Sequence, residues 1–130
     1  MSQSTKYSEL DEQHWNEERQ QFGHLLESFV LQQIMAMASC MARPPRFFHF
    51  RDRDKTEVDI VIESRHKVWG IEIKAASSVR LSDAKGLLRL ANIAADDFQA
   101  GVVFYDGEAT VRLSKLPDVL AVPISKLWKL

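Results

Sequence analysis

One stretch constrains this chain more than any other. In EVDIVIESRHKVWGIEIKA, residues 57–75, apolar and polar side chains alternate on either side of a short polar break. Alternation of period two marks a half-buried strand, and two such runs joined by two residues form a hairpin. With Arg65-His66 as the turn, Ser64 pairs with Lys67, Ile62 with Trp69, Ile60 with Ile71, Asp59 with Glu72, and Val58 with Ile73. That register gathers Val58, Ile60, Ile62, Trp69, Ile71 and Ile73 on one face. On the other it sets the carboxylates of Asp59 and Glu72 opposite each other, with Lys74 two residues beyond Glu72 and on the same side.

Like charges so placed repel, and a covering helix makes the repulsion worse unless positive charge lies between or beside them. A divalent cation satisfies the pair. Magnesium takes oxygen ligands, commonly one or two protein carboxylates, and keeps waters that serve as nucleophiles. Lys74 would then stand beside that water or a scissile phosphate and stabilise developing charge. The chemistry implied is metal-assisted phosphodiester hydrolysis. The competing reading is an ordinary salt bridge from Lys74 to Asp59 or Glu72 on a solvent-exposed sheet face.

The rest of the chain supplies layers for such a sheet. From Ser8 to about Met41, Trp15, Phe22, Leu25, Leu26, Phe29, Val30, Ile34 and Met37 recur at helical spacing. The pattern predicts one or two helices, with Gly23 as a break and the second running from Gly23 to about Cys40. Arg43-Pro44-Pro45 ends it, since proline donates no backbone hydrogen bond. Strands are expected at Arg46 to Arg51, Glu57 to Ser64 and Lys67 to Ala75, with turns at Asp52 to Thr56 and at Arg65-His66. A helix from Ser82 to about Asp97, with Ser82 as N-cap, is followed by strands at Gly101 to Tyr105 and Thr110 to Leu113. A short strand then leads into a helical turn between Leu120 and Leu130. A strand, helix and strand in succession at Lys67 to Tyr105 imply a crossover to a parallel neighbour, hence a mixed central sheet with helices on it. Residues 1–20 read as a polar, partly helical extension and 21–130 as one domain.

Composition narrows the function. Seventeen Lys and Arg against eighteen Asp and Glu give a net charge of −1, which argues against binding that coats phosphates over a broad surface. Any nucleic-acid site must be local. One cysteine, Cys40, forms no intramolecular disulfide, and no Cys/His spacing suits structural zinc. No signal-peptide pattern or membrane-length apolar run occurs, so the expectation is a cytoplasmic protein without a membrane partner.

Asp59, twelve intervening residues, then Glu72-Ile73-Lys74 resembles the D…(D/E)XK signature of the PD-(D/E)XK nuclease superfamily. More closely, GHLLESFV (Gly23 to Val30), EVDIVIE (Glu57 to Glu63), IEIKAA (Ile71 to Ala76), GVVFYDG (Gly101 to Gly107) and AVPISKLW (Ala121 to Trp128) are similar to the uncharacterised C-terminal domain of prokaryotic AAA+-type ATPases. The resemblance implies an α/β fold with a restriction-endonuclease-like α/β/α core. It implies Asp59, Glu72 and the carbonyl of Ile73 as ligands to Mg2+ or Mn2+, Lys74 as the catalytic lysine, and Glu27 as a further acidic residue. DNA is the implied substrate, and a homodimer and an AAA+-type ATPase are implied partners. Val58 replaces the superfamily's proline. No G-x-x-x-x-G-K-[ST] occurs among the five glycines, so these residues hold no P-loop. A non-catalytic interaction or dimerisation module on the same fold is the alternative.

Other residues have weaker claims. His24 precedes Glu27 by three and shares its helical face, whereas His14, His49 and His66 read as surface residues. Cys40 reads as a buried structural cysteine. Arg80, Lys85 and Arg89 are candidate contacts to DNA phosphates at a helix N-terminus, against the simpler reading of a solvated helix face. Trp69, Phe104 and Trp128 fall on apolar patterns and read as core.

Overall fold

The computed structural model describes residues 21–129, with side chains through residue 127. Expectations placed on residues 1–20, including His14 and Trp15, and on the Trp128 side chain lie outside the described residues. A first helix, α1 (21–38), precedes β1 (Arg46–Arg51), β2 (Glu57–Ser64) and β3 (Lys67–Lys74). Then come α2 (Lys85–Ala94), β4 (Phe98–Tyr105), β5 (Val111–Ser114) and β6 (Val119–Pro123), with 3-10 turns at Leu81–Ala84, Ala95–Asp97 and Ile124–Lys129.

The six strands form one mixed sheet in the order β1-β2-β3-β4-β6-β5. β1, β2 and β3 are antiparallel, β3, β4 and β6 run parallel, and β5 returns antiparallel along the far edge. The crossover from β3 through α2 therefore lands on a parallel neighbour, as the strand-helix-strand order predicts. The β2–β3 hairpin turns at Arg65-His66 in the expected register, Ser64 with Lys67, Ile62 with Trp69 and Ile60 with Ile71. Both turn residues are left-handed, with φ of 52° and 66°, the conformation that lets a two-residue turn match strand twist.

A helix covers each face of the sheet. On one, Leu87 and Leu90 of α2 pack with Val58, Val61, Val103 and Val119. Leu87 sits over the cross-strand pair Gly70 and Gly101, where a Cβ on Gly70 would lie 2.5 Å from its Cδ2. On the other face, Val30 of α1 packs with Ile60, Ile71, Ile124 and Leu127. Burying a side chain of this size contributes roughly 1.5–3 kcal/mol, so these two clusters hold the layers together.

Several expectations are corrected. The α1 helix runs through Gly23, which has open space around it. Cys40 is exposed rather than buried, because α1 ends at residue 38 and Cys40 falls in the turn that follows. Ser82 lies inside the 3-10 turn and is no N-cap; the turn starts after Arg80, whose N–H donates to Asp83 Oδ2 at 2.8 Å. Val58 does not share a face with Ile60 and Ile73. It belongs to the α2-side cluster, while Ile60 and Ile73 belong to the α1 side. The cause is a β-bulge: Phe48 pairs with Val61 but Phe50 with Val58, so His49 alone opposes both Asp59 and Ile60. No helix among the described residues is long and apolar enough to cross a membrane.

Candidate functional site

The bulge decides how the two carboxylates meet. The backbone ladder between β2 and β3 stops at Ile60–Ile71, and beyond it side chains replace carbonyls as acceptors. The Asp59 N–H donates to Glu72 Oε1 at 3.2 Å, and the Ile73 N–H donates to Asp59 Oδ2 at 2.9 Å. Each carboxylate thus reaches the other strand's backbone. His49 secures the bulge from the β1 side, its Nδ1 3.3 Å from the Asp59 carbonyl, which can only accept. In a strand the N–H and C=O of one residue leave on the same side, so the Ile73 carbonyl also faces β2 where the ladder has ended.

The helix after β3 closes the site from above. Gly86, in the first turn of α2, packs against the β2 backbone so tightly that a Cβ there would lie 2.0 Å from the Glu57 carbonyl oxygen. The same Cβ would come within 3.3 Å of Glu72 Oε1, which places Glu72 under the start of α2. Burial comes first among the forces on Glu72, followed by the negative charge of Asp59 and a side-chain hydrogen bond with it. Together they push the Glu72 carboxyl up to about 9, against the opposing pull of the Asp59 N–H, and Glu27 adds to the rise. Glu27, on α1, is itself raised by partial burial and by Asp59, with His24 and His49 acting in the opposite sense. Asp59, Glu72 and Glu27 therefore act on one another electrostatically.

Lys74 is placed differently. It lies half-buried at the end of β3, but its ammonium is bound by Asp83 at 2.6 Å, in neither of the salt bridges considered, to Asp59 or Glu72. Burial alone would raise Asp83; the Lys74 ammonium and the Arg80 N–H outweigh it and hold the carboxyl below its usual range. Arg80 and Lys85 are exposed at the entrance to α2, while Arg89 is paired with Asp52 at 3.2 Å. Asp52 is in turn held low by the N–H groups of Thr56 and Asp54 and by Arg89, against its desolvation.

Asp83 and Gly86 are not anticipated from the sequence, and His49, exposed as a surface residue should be, also holds the bulge. Asp83 follows Arg80 by three, the spacing of a capping carboxylate. A glycine inside an otherwise good helix, as at Gly86, signals a close approach. No pattern marks His49, whose role depends on the bulge.

As a ligand set, the site offers two carboxyls and a carbonyl, all hard oxygen donors. Among the described residues no group of three or more His, Cys, Asp or Glu side chains is arranged around one point. Two carboxylates are nonetheless the number Mg2+ commonly takes from protein while retaining water, and the raised Glu72 marks where a positive charge is wanted. The residues fit such an ion.

Compared with known proteins, residues 22–127 match the family model described as Domain of unknown function (DUF4143). No curated protein and no solved structure matches the chain.

Proposed function

The chain belongs to the DUF4143 family of domains of unknown function, and we propose that it is a metal-dependent deoxyribonuclease of the PD-(D/E)XK type, with a restriction-endonuclease-like core. Asp59, Glu72 and the Ile73 carbonyl would hold Mg2+ or Mn2+. The observation that carries this reading is the pair of carboxyls, drawn together at a broken ladder and coupled until Glu72 is pushed up to about 9. Left without a cation, such a pair costs stability.

When bound, the ion supplies a water acidified towards neutral pH and offsets charge on the phosphate. Lys74, steered by Asp83, orients its ammonium towards the phosphate and stabilises the charge that develops there. Glu27 adds negative charge that strengthens cation binding. Arg80 and Lys85, exposed beside the first turn of α2, contact flanking phosphates, and Arg89 joins them when it leaves Asp52. A second copy of the chain would bring a second site to the opposite strand, and an AAA+-type ATPase would be a partner.

The reading is tested by incubating supercoiled and branched DNA with the protein and Mn2+ or Mg2+, beside Glu72→Ala, Lys74→Ala and an EDTA control. Metal-dependent cutting lost in both variants is the expected result. The Lys74–Asp83 ion pair favours a second reading, a non-catalytic interaction module in which Lys74 is purely structural. Absence of both cutting and any Mn2+-induced rise in melting temperature would select it.

A further inference from the structure

The far end of the β2–β3 hairpin carries a surface unrelated to the carboxylates. Between the end of α1 and the sheet lies an apolar pit floored by Ile34, Phe47, Ile62 and Trp69 and flanked by Met37 and Met41. A second depression adjoins it, sharing Met41, Ser64 and Trp69 as its wall, and its rim is cationic: Arg43, Arg65 and Lys67. Met37 and Met41 are half-exposed, at 50% and 52%, and methionine adapts its shape to what it covers.

Charge separates this surface from its surroundings. Arg46, nearby, is paired with Glu63 and lies over the Phe48 ring. Arg43, Arg65 and Lys67 are exposed, and none makes an ion pair among the described residues. In a chain of net charge −1, three cations that are unpaired among the described residues, beside an apolar pit, form a local positive field with an apolar pocket at its edge.

We infer that this two-part groove docks an acidic peptide segment of a partner protein, a bulky apolar side chain filling the pit while flanking carboxylates meet Arg43, Arg65 and Lys67. A nucleic-acid backbone suits it less. Phosphates would satisfy the cations but leave the pit lined by Phe47, Ile62 and Trp69 without an apolar occupant, whereas a peptide satisfies both halves. The surface lies at the opposite end of β2 and β3 from Asp59 and Glu72, so the inference stands apart from the proposed catalysis.

The test is fluorescence polarisation of the full chain with a labelled synthetic peptide in which a Leu-Phe pair is flanked by Asp and Glu. Arg65→Glu/Lys67→Glu should weaken binding by about tenfold or more, the equivalent of about 1.4 kcal/mol. Met41→Ser, at an exposed position that leaves the fold intact, should weaken it several-fold. Rising salt should weaken it as well, and Glu72→Ala should bind as the unaltered chain does. Equal binding of a peptide with Lys in place of Asp and Glu would overturn the inference. So would displacement of the peptide by a single-stranded oligonucleotide, or a charge-reversed variant that binds unchanged. Concentration-dependent dimerisation lost in Met41→Ser would assign the groove to a second copy instead, and so also overturn it.

Discussion

Replacing Asp59 by asparagine separates repulsion from support at the carboxyl pair. A carboxyl raised from its ordinary 4.5 to about 9 keeps its proton in the folded chain over a range where the unfolded chain has released it. Its contribution to stability is therefore fully present below about pH 4.5 and is lost as pH rises through about 9. At pH 8 the loss approaches about 5 kcal/mol, at about 1.4 kcal/mol per unit. Burial accounts for the largest share and the Asp59 charge for the next. A unit charge about 4 Å away is worth up to about 4 kcal/mol near a protein surface. The asparagine side chain would still accept from the Ile73 N–H, and its amide would donate to Glu72. We expect Asp59→Asn to recover about 2 kcal/mol at pH 8 and, because the protonated Glu72 O–H loses its charged acceptor, to cost up to about 1 kcal/mol at pH 5. Urea unfolding followed by circular dichroism at the two pH values reads this as a flattened pH dependence. If the variant and the unaltered chain ran parallel, or the variant were weaker by the same amount at both, the pair would be a supporting network and not a repulsive one. In the metal reading the same variant also loses its Mn2+-induced rise in melting temperature.

Further outcomes follow from the same geometry. Gly86→Ala should destabilise by more than about 2 kcal/mol, because its Cβ meets the Glu57 carbonyl at 2.0 Å; Gly23→Ala, in open space within α1, should stabilise by roughly 0.5–1 kcal/mol. Thermal melts of the two check the pair. His66→Gly should raise stability by about 0.5–1 kcal/mol, since His66 holds a φ of 66° that glycine adopts freely. Leu87→Ala should cost about 2–5 kcal/mol, measured by urea unfolding, for it empties the space over Gly70 and Gly101. Asp83→Asn should release Lys74 and lower the rate of any metal-dependent DNA cleavage while leaving the Mn2+-induced melting shift in place.

Much of this fold is legible in the sequence because its strands are short and their periods clean. Arg46–Arg51 and Glu57–Ser64 lie where alternation and turn residues place them, and the Arg65-His66 turn fixes the hairpin register from Ser64 to Ile60. The register then fails at Asp59, because periodicity carries a strand forward without interruption and cannot see an inserted residue. Cys40 misleads for a similar reason: helical spacing extends past the point where the backbone leaves the helix. At the site, Asp59 and Glu72 stand out by their facing charges and Glu27 by resemblance, and the three act on one another electrostatically. Asp83 is not found, since the partner of Lys74 lies on a turn whose approach to β3 is a matter of packing rather than of spacing.

The bulge opposite His49 also bears on how such a domain gains or loses its chemistry. Val58 packs towards α2, Ile60 towards α1, Val61 towards α2 and Ile62 towards α1. Omit Asp59, and the remaining residues alternate without interruption, with every apolar side chain on the face it already occupies. Asp59 is thus the supernumerary residue of its strand. Losing a single codon would erase the carboxyl pair while preserving both hydrophobic layers, and gaining one in an uninterrupted strand would install it. Scaffold and chemistry are separable here by one residue, so relatives with and without the acidic pair can share the same core.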